Sequence, residues 1–356
     1  MTESFNQLYY KISTWIPPKN NGNNVSPLLL SLYSYLLGVN FDPIVQDYKK
    51  RVGVLKKNFT KGPLISGAVC FYGSMLMSLL QLGYINNIEH LFTFASCYML
   101  MDYHLDDPSI PDETKKQTLR NINSFMCQMQ GSDMDQQTKN SLDNQTKNSS
   151  DNQTKNSPDN QKDPIIEVIG KQYLKMVRNI PCSEVHLKNI FTIESKTQAT
   201  QKYSNKKREE YLKICEDKGG YTCYALQSLL ELPITGEEYT LGACIQLVDD
   251  LLDIDEDMDS NIHSIVTHDY STDGNLDKLL EYTVNRISDM DRKYNLFKPI
   301  LLLGLVFAVH IHREKFTPGM LDLIDNFIYY QPVTTKESLL EWLEHKFKQQ
   351  IDLICK

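Results

Sequence analysis

Apolar residues along this chain recur at helical spacing, and no stretch alternates in the manner of a strand. The run PLLLSLYSYLLGV from Pro27 reads as an apolar helix ended near Gly38. A second long run, ISGAVCFYGSMLMSLLQLG, begins after Pro63, a residue suited to a first helical turn, and ends at Gly83. The run from Ile88 to Met101 is apolar nearly all round, which predicts a buried helix too short and too broken to span a bilayer. Helical patterns resume in PIIEVIGKQYLKMVRNI after Asp163, over a long stretch from about Ser183 to Leu232, and again over Leu276 to Tyr294, Pro299 to His312 and Lys336 to Ile354. These amount to about ten helices and predict an all-α fold, a single large bundle with a central cavity. No Pro/Gly linker separates two cores, so residues 1–356 are read as one domain.

One segment breaks the pattern. Asp135 to Lys162 carries copies of an eight-residue unit, DQQTKNSL, DNQTKNSS, DNQTKNSP and a truncated DNQK, with no apolar residue beyond Leu142. Such a segment cannot offset the entropy of ordering, so residues from about 131 to 162 read as a disordered insert looping out between helices. A solenoid is excluded, because structural repeats need about 20 residues or more per unit.

Two of the apolar runs stop on acids. The helix through Ile245 ends in Asp249, Asp250 and Asp253, and the run from Ile88 ends in Asp102 and Asp106. Residues four apart share a helix face with Cβ atoms roughly 6 Å apart, so Asp249 pairs with Asp253, Asp102 pairs with Asp106, and Asp250 lies about 100° round the axis. Carboxylates at a helix C-terminus repel one another and meet the negative end of the helix dipole, so a cation is expected to offset them. Two such helices facing one cavity would hold hard divalent ions, Mg2+ above all, which binds through one or two carboxylates and keeps positions for water and substrate phosphate. Calcium in an EF-hand is excluded. Although Asp253, Asp255, Asp257 and Asp259 occupy odd loop positions, Met258 stands where the sharp turn needs Gly, and Ser264 stands where a bidentate Glu is required. Lys218 precedes Gly219 and Gly220 inside a helical pattern, and two glycines there predict a kink or a close approach to a ligand.

Composition narrows the class. Hydrophobic residues make up 41% and charged residues 23%, ordinary for a globular chain with a sizeable core, and a net charge of -8 argues against nucleic acid as a partner. The first residues, MTESFNQLYY, show no secretory signal and no apolar run of about 18 residues follows, so a cytoplasmic protein not integral to a membrane is expected. The cysteines lack metal or disulfide spacing and read as reduced core thiols, which removes meaning from the sequons at Asn144 and Asn152.

Lys218 followed by Gln246, Asp249, Asp250 and Asp253, with Asp102 and Asp106 upstream, resembles the trans-isoprenyl diphosphate synthase family over most of the chain outside the insert. The resemblance implies the isoprenoid synthase fold, metal ligation by the five acids, a cluster of about three Mg2+ ions that Mn2+ can replace, and ionisation of an allylic prenyl diphosphate. It also implies that Lys218, Gln246 and Lys61 hold the diphosphate, and it allows a homodimer. The departures matter as much. Tyr103 replaces the second acid of the first cluster, only Lys115 and Lys116 follow it where arginines are usual, Lys61 alone survives from a basic segment upstream, and Asn261-Ile-His263 stands near the place of a Gly-Lys pair. Lys cannot reproduce the bidentate fork of Arg, so a site for isopentenyl diphosphate looks dismantled.

That pattern resembles terpene synthases, which need only the allylic substrate. A class I terpene synthase preferring farnesyl diphosphate is therefore expected, its cavity walled by Phe71, Phe94, Tyr98 and Tyr221, with Tyr98 one turn below Asp102 limiting chain length. The alternatives are a short-chain prenyl diphosphate synthase, a squalene or phytoene synthase relative, and a non-catalytic regulatory subunit.

Overall fold

The computed structural model describes residues 3–16, 70–71, 73–74, 77–78, 86–106, 109–121, 164–201 and 206–327. Lys61, the apolar run from Pro27, the repeat insert and the C-terminal amphipathic run from Lys336 lie outside the described residues. Among those described there is no strand, and the chain is all-α. In chain order the helices are α1 (Glu3–Ser13), α2 (Ile88–Asp106), α3 (Pro164–Asn179), α4 (Glu184–Thr200), α5 (Arg208–Leu229), α6 (Glu237–Leu252), α7 (Ile254–Asp259), α8 (Ile265–Asp273), α9 (Asp277–Asp289), α10 (Phe297–Ile311) and α11 (Pro318–Ile324). Residues 112–121 are helical as well. No described helix is long and apolar enough to cross a membrane.

The chain divides into two compact units. The first comprises Met1–Arg51, Lys196–Gln227 and Pro233–Lys356, and the second Val52–Ser195 with Ser228–Leu232. In the first unit α10 has the most apolar sequence and packs against α6, α9 and α11. Gly304 brings α10 close to α6, because a side chain there would strike Val248. Lys11 donates to the Asn285 side-chain oxygen at 2.7 Å and ties α1 to α9. Arg208, at the start of α5, grips the buried Asp269 of α8 with a two-pronged pair at 2.8 to 3.0 Å, the planar fork matching the carboxylate.

The glycine pair of α5 serves packing, where a kink or a ligand contact was expected. Helix α5 continues through Gly219 and Gly220; Gly219 lies against the backbone of Gly242 in α6, and Gly220 against the Tyr239 ring. Only residues without a Cβ let two helix backbones come this close.

Helix α6 starts at a buried acid. Glu238 accepts from the backbone N–H groups of Thr235 at 2.9 Å and Gly236 at 3.1 Å, from Lys293 Nζ at 2.7 Å and from the Tyr294 hydroxyl at 3.0 Å. Burial works against its charge, but these donors outweigh it and hold the carboxyl down at about 2.

In the second unit α2 packs against α3. Its all-round apolarity is matched by burial of Phe92, Phe94, Ala95, Ser96, Leu100 and Met101 on several sides of the helix. Asn87, in the left-handed region that Asn tolerates, donates to the Leu229 carbonyl at 2.8 Å, satisfying one of the carbonyls left open at the end of α5.

Four helices were absent from the sequence reading, the first of them α1 (Glu3–Ser13). The short α7 follows directly on α6, α8 is closed by a Ser264/Thr267 capping box and by Gly274 in the left-handed region, and α11 starts at Thr317-Pro318, whose hydroxyl accepts from Met320 N–H. The capping residues were the available signal.

Candidate functional site

Two groups of acids are candidate sites, each within its own unit. In the first unit α6 ends at Leu252, and Asp253 serves both as the cap of α6 and as the residue before α7. The chain turns at this joint and brings Asp257 beside Asp250 and Asp253, so that Asp250, Asp253 and Asp257 act electrostatically on one another. The Asp253 amide still donates to the Asp249 carbonyl at 3.0 Å, so the helical bond joining these two residues persists to the end of α6. Asp249 is exposed, with Gln246 Nε2 3.5 Å from its Oδ2, while the half-buried Asp250 accepts from the same amide at 2.8 Å.

Helix α5 supplies the other side of this group. The Cys215 thiol donates to Asp250, and Lys218, half-buried, lies near enough to favour the charged forms of Asp250 and Asp257. The Gly219–Gly242 approach of α5 to α6 sets this position. Burial nevertheless dominates. It raises Asp250, helped by the charge on Asp253, against Gln246, Cys215 and Lys218. It raises Asp257 to about 7, helped by Asp250 and Asp253, against the Ser264 hydroxyl that donates to it at 2.6 Å and against Lys218. The sequence signal for Asp257 was its position four residues beyond Asp253, visible as part of the rejected calcium loop.

In the second unit, Asp102 lies half-buried in the last turns of α2, and Asp106 is its final residue, with a side chain outside the described set. Burial pushes the Cys70 thiol up to about 12, opposed by Ser74 and helped by the charge of Asp102, which places these groups near one another. Tyr103, at the position of the missing acid, is 41% exposed. Lys115 is only 8% exposed, and Lys116 pairs at the surface with Glu113 at 3.8 Å.

Of the four residues expected to wall a cavity, three are buried in the second unit. Phe94 stacks on Tyr98 with ring centroids 5.6 Å apart and planes 5° apart, and Phe71 meets Phe92 edge-on at 5.6 Å. Tyr221 belongs to the first unit, where it joins Tyr224 and Tyr239 at 6.4 and 6.1 Å. The Tyr98 hydroxyl donates to the Glu194 carboxylate of α4 at 3.1 Å, an acid that sequence reasoning passed over. Nearby, the buried Tyr173 hydroxyl has no hydrogen-bond partner among the described residues.

A further trio, Asp255, His312 and Glu314, brings ligand-type atoms within 4.8 Å of one another. The buried Lys315 already supplies positive charge there, with Nζ 2.7 Å from Asp255 and 3.1 Å from Glu314, so the trio reads as part of an ion-pair network. What remains is an all-oxygen acidic group with more negative charge than Lys218 can balance, a donor set that fits a hard divalent cation. No family model, no curated protein and no solved structure matches the chain.

Proposed function

We propose that the protein is a class I terpene synthase, which ionises an allylic prenyl diphosphate, farnesyl diphosphate by preference, and releases a terpene and diphosphate. The observation that carries this reading is the gathering of Asp250, Asp253 and Asp257 beside Lys218 and Gln246, with two of those carboxyls pushed upward by burial and mutual repulsion. Acids held in such discomfort are poised to take a cation, and perturbed carboxyls of this kind concentrate at functional sites. Asp249, Asp250 and Asp253 would hold Mg2+ in the first unit, and Asp102 and Asp106 would do so in the second. When bound, Mg2+ supplies Lewis acidity that stabilises the charge of the departing diphosphate. Lys218 would pair with a diphosphate oxygen, and Gln246 would hold Asp250 in place through the 2.8 Å hydrogen bond.

Cyclase is favoured over chain elongation by the fate of the lysines after the first cluster. Lys115 is buried and Lys116 is engaged with Glu113, so neither stands in the role of an arginine fork for a second diphosphate. The test is incubation of purified protein with farnesyl diphosphate and Mg2+, with and without radiolabelled isopentenyl diphosphate. Release of inorganic diphosphate and a C15 hydrocarbon or alcohol, insensitive to isopentenyl diphosphate, is expected. Efficient incorporation of label into a longer prenyl diphosphate would establish the prenyltransferase alternative instead, and no turnover of either kind would favour a regulatory subunit.

A further inference from the structure

His312 caps the end of α10, and although only 3% exposed it reaches the joint between α6 and α7. Its Nε2 stands 3.0 Å from the carbonyl of Leu252, the last residue of α6, and its Nδ1 stands 3.0 Å from Oδ2 of Asp255, the second residue of α7. A carbonyl can only accept. Asp255 has no proton to give either, because burial, which works to raise its carboxyl, is outweighed by the Lys315 hydrogen bond and the charge of His312, and the group is held below the ordinary range. Both bonds therefore form together only when each ring nitrogen carries a hydrogen, which is the cationic form of the ring. A cation at this place also suits the negative end of the α6 dipole.

The turn that follows, Arg313–Lys315, is fastened to other elements. The Lys315 carbonyl accepts from the Leu276 N–H at 2.9 Å, next to the start of α9, and Arg313 forks onto Asp325 at 2.6 and 2.9 Å. Lys315 Nζ meets the other carboxylate oxygen of Asp255 at 2.7 Å and lies 5.1 Å from the centre of the Tyr270 ring of α8. Asp255 is thus gripped through both oxygens from an anchored turn. Between Leu252 and Asp255 the chain bends at Asp253, and α7 then carries Asp257 back to within electrostatic reach of Asp250. Any shift of this joint moves Asp253 and Asp257 relative to Asp250.

We propose that His312 is a positioning residue of the candidate cation site in the first unit: by holding Leu252 and Asp255 on either side of Asp253, it sets the angle between α6 and α7 and with it the spacing of Asp250, Asp253 and Asp257. This rests on the metal reading of those acids given above. Both ring nitrogens are engaged, so His312 acts through its neighbours and is not itself a ligand. The sign of its effect separates this role from two simpler ones. Removing a positive group near a cation site would, through charge alone, tighten cation binding. A contribution confined to fold stability would leave binding in the folded protein unchanged. Only a loss of ligand spacing weakens it.

The experiment titrates the full-length protein with Mn2+ and follows the free ion by electron paramagnetic resonance. Asp250→Asn identifies which bound Mn2+ belongs to the first unit, since that class of sites should disappear. His312→Gln leaves one donor group for two acceptors and should weaken the same class by about tenfold, the scale on which groups that orient metal ligands act. Should His312→Gln lose its helical circular dichroism, Asp255→Asn decides, compared with Asp259→Asn, an exposed acid of the same short helix whose loss removes the same charge. Asp255→Asn should then weaken the class at least about threefold more than Asp259→Asn does. Unchanged or tighter Mn2+ binding in a folded His312→Gln, or equal effects of the two aspartate variants, would overturn the role of His312 while leaving the cation site in place. A wild type that binds no Mn2+, or an Asp250→Asn variant that binds as wild type does, overturns the metal reading of the first unit and this inference with it.

Discussion

The backbones of Gly219 and Gly242 approach each other so closely that a Cβ on either would overlap the other's carbonyl group. This is the point at which α5 crosses α6, and it carries Lys218 to the side of Asp250 and Asp257. Gly219→Ala or Gly242→Ala should each cost about 2–3 kcal/mol, because the obstruction is backbone and cannot rotate away. Gly73 offers the contrast, being helical and exposed with nothing near its Cβ direction among the described residues. Gly73→Ala should leave stability unchanged or raise it by up to about 1 kcal/mol. Urea denaturation of the three variants checks both halves.

Glu238→Gln should destabilise the protein at neutral pH by on the order of 3 kcal/mol, since its carboxyl is held down at about 2 against an ordinary 4.5. A depressed acid stabilises the fold above its unfolded value and loses that contribution as pH falls through its folded value. The gap between variant and wild type should therefore narrow between about pH 4.5 and pH 2, and denaturation midpoints across that window measure it.

Asp250 and Asp257 act with the opposite sign. Their carboxyls are raised, so the folded protein binds protons more tightly than the unfolded chain and loses stability as pH rises from the ordinary carboxylate range toward about 7, the value for Asp257. Without metal, the unfolding midpoint should be higher at about pH 5 than at about pH 8, and Mg2+ should raise the midpoint more at the higher pH, where the acids are ionised. Asp257→Asn should flatten the metal-free slope. Scanning calorimetry with and without EDTA reads all three; a slope that does not change in the variant would remove Asp257 from the cluster.

For turnover, Asp102→Asn and Asp250→Asn should each lower diphosphate release by at least about 100-fold, the scale on which one preorganised electrostatic group acts. Asp249→Asn should lower it less than Asp250→Asn, because Asp249 is exposed while Asp250 is anchored by Gln246 and Cys215. EDTA should abolish the activity and Mg2+ restore it. Equal losses in the two variants would show that exposure does not separate the roles of Asp249 and Asp250.

What the sequence determined alone was the class of each long element and the burial of its faces. A run apolar all round, as over Ile88 to Met101, has no face left for water, and α2 is accordingly buried on several sides. Runs as long as those of α3 and α10 leave little doubt of helix, and their observed ends, Asn179 and Ile311, fall within a residue of those read from the pattern. The acids of both clusters were legible too, because carboxylates at the end of an apolar run stand out against it. The tertiary structure decided which of them meet. Periodicity reports that a face is buried but not against what, and it carries no information once a helix stops. The joint at Asp253 therefore brought Asp257 into the group. For the same reason the Gly219–Gly220 pair looked like a place for a ligand when its neighbour was Gly242, more than twenty positions along the chain. Glu194 was illegible altogether, because in sequence it is one acid in a polar stretch; only the packing that buries it against Tyr98 distinguishes it from an acid in water.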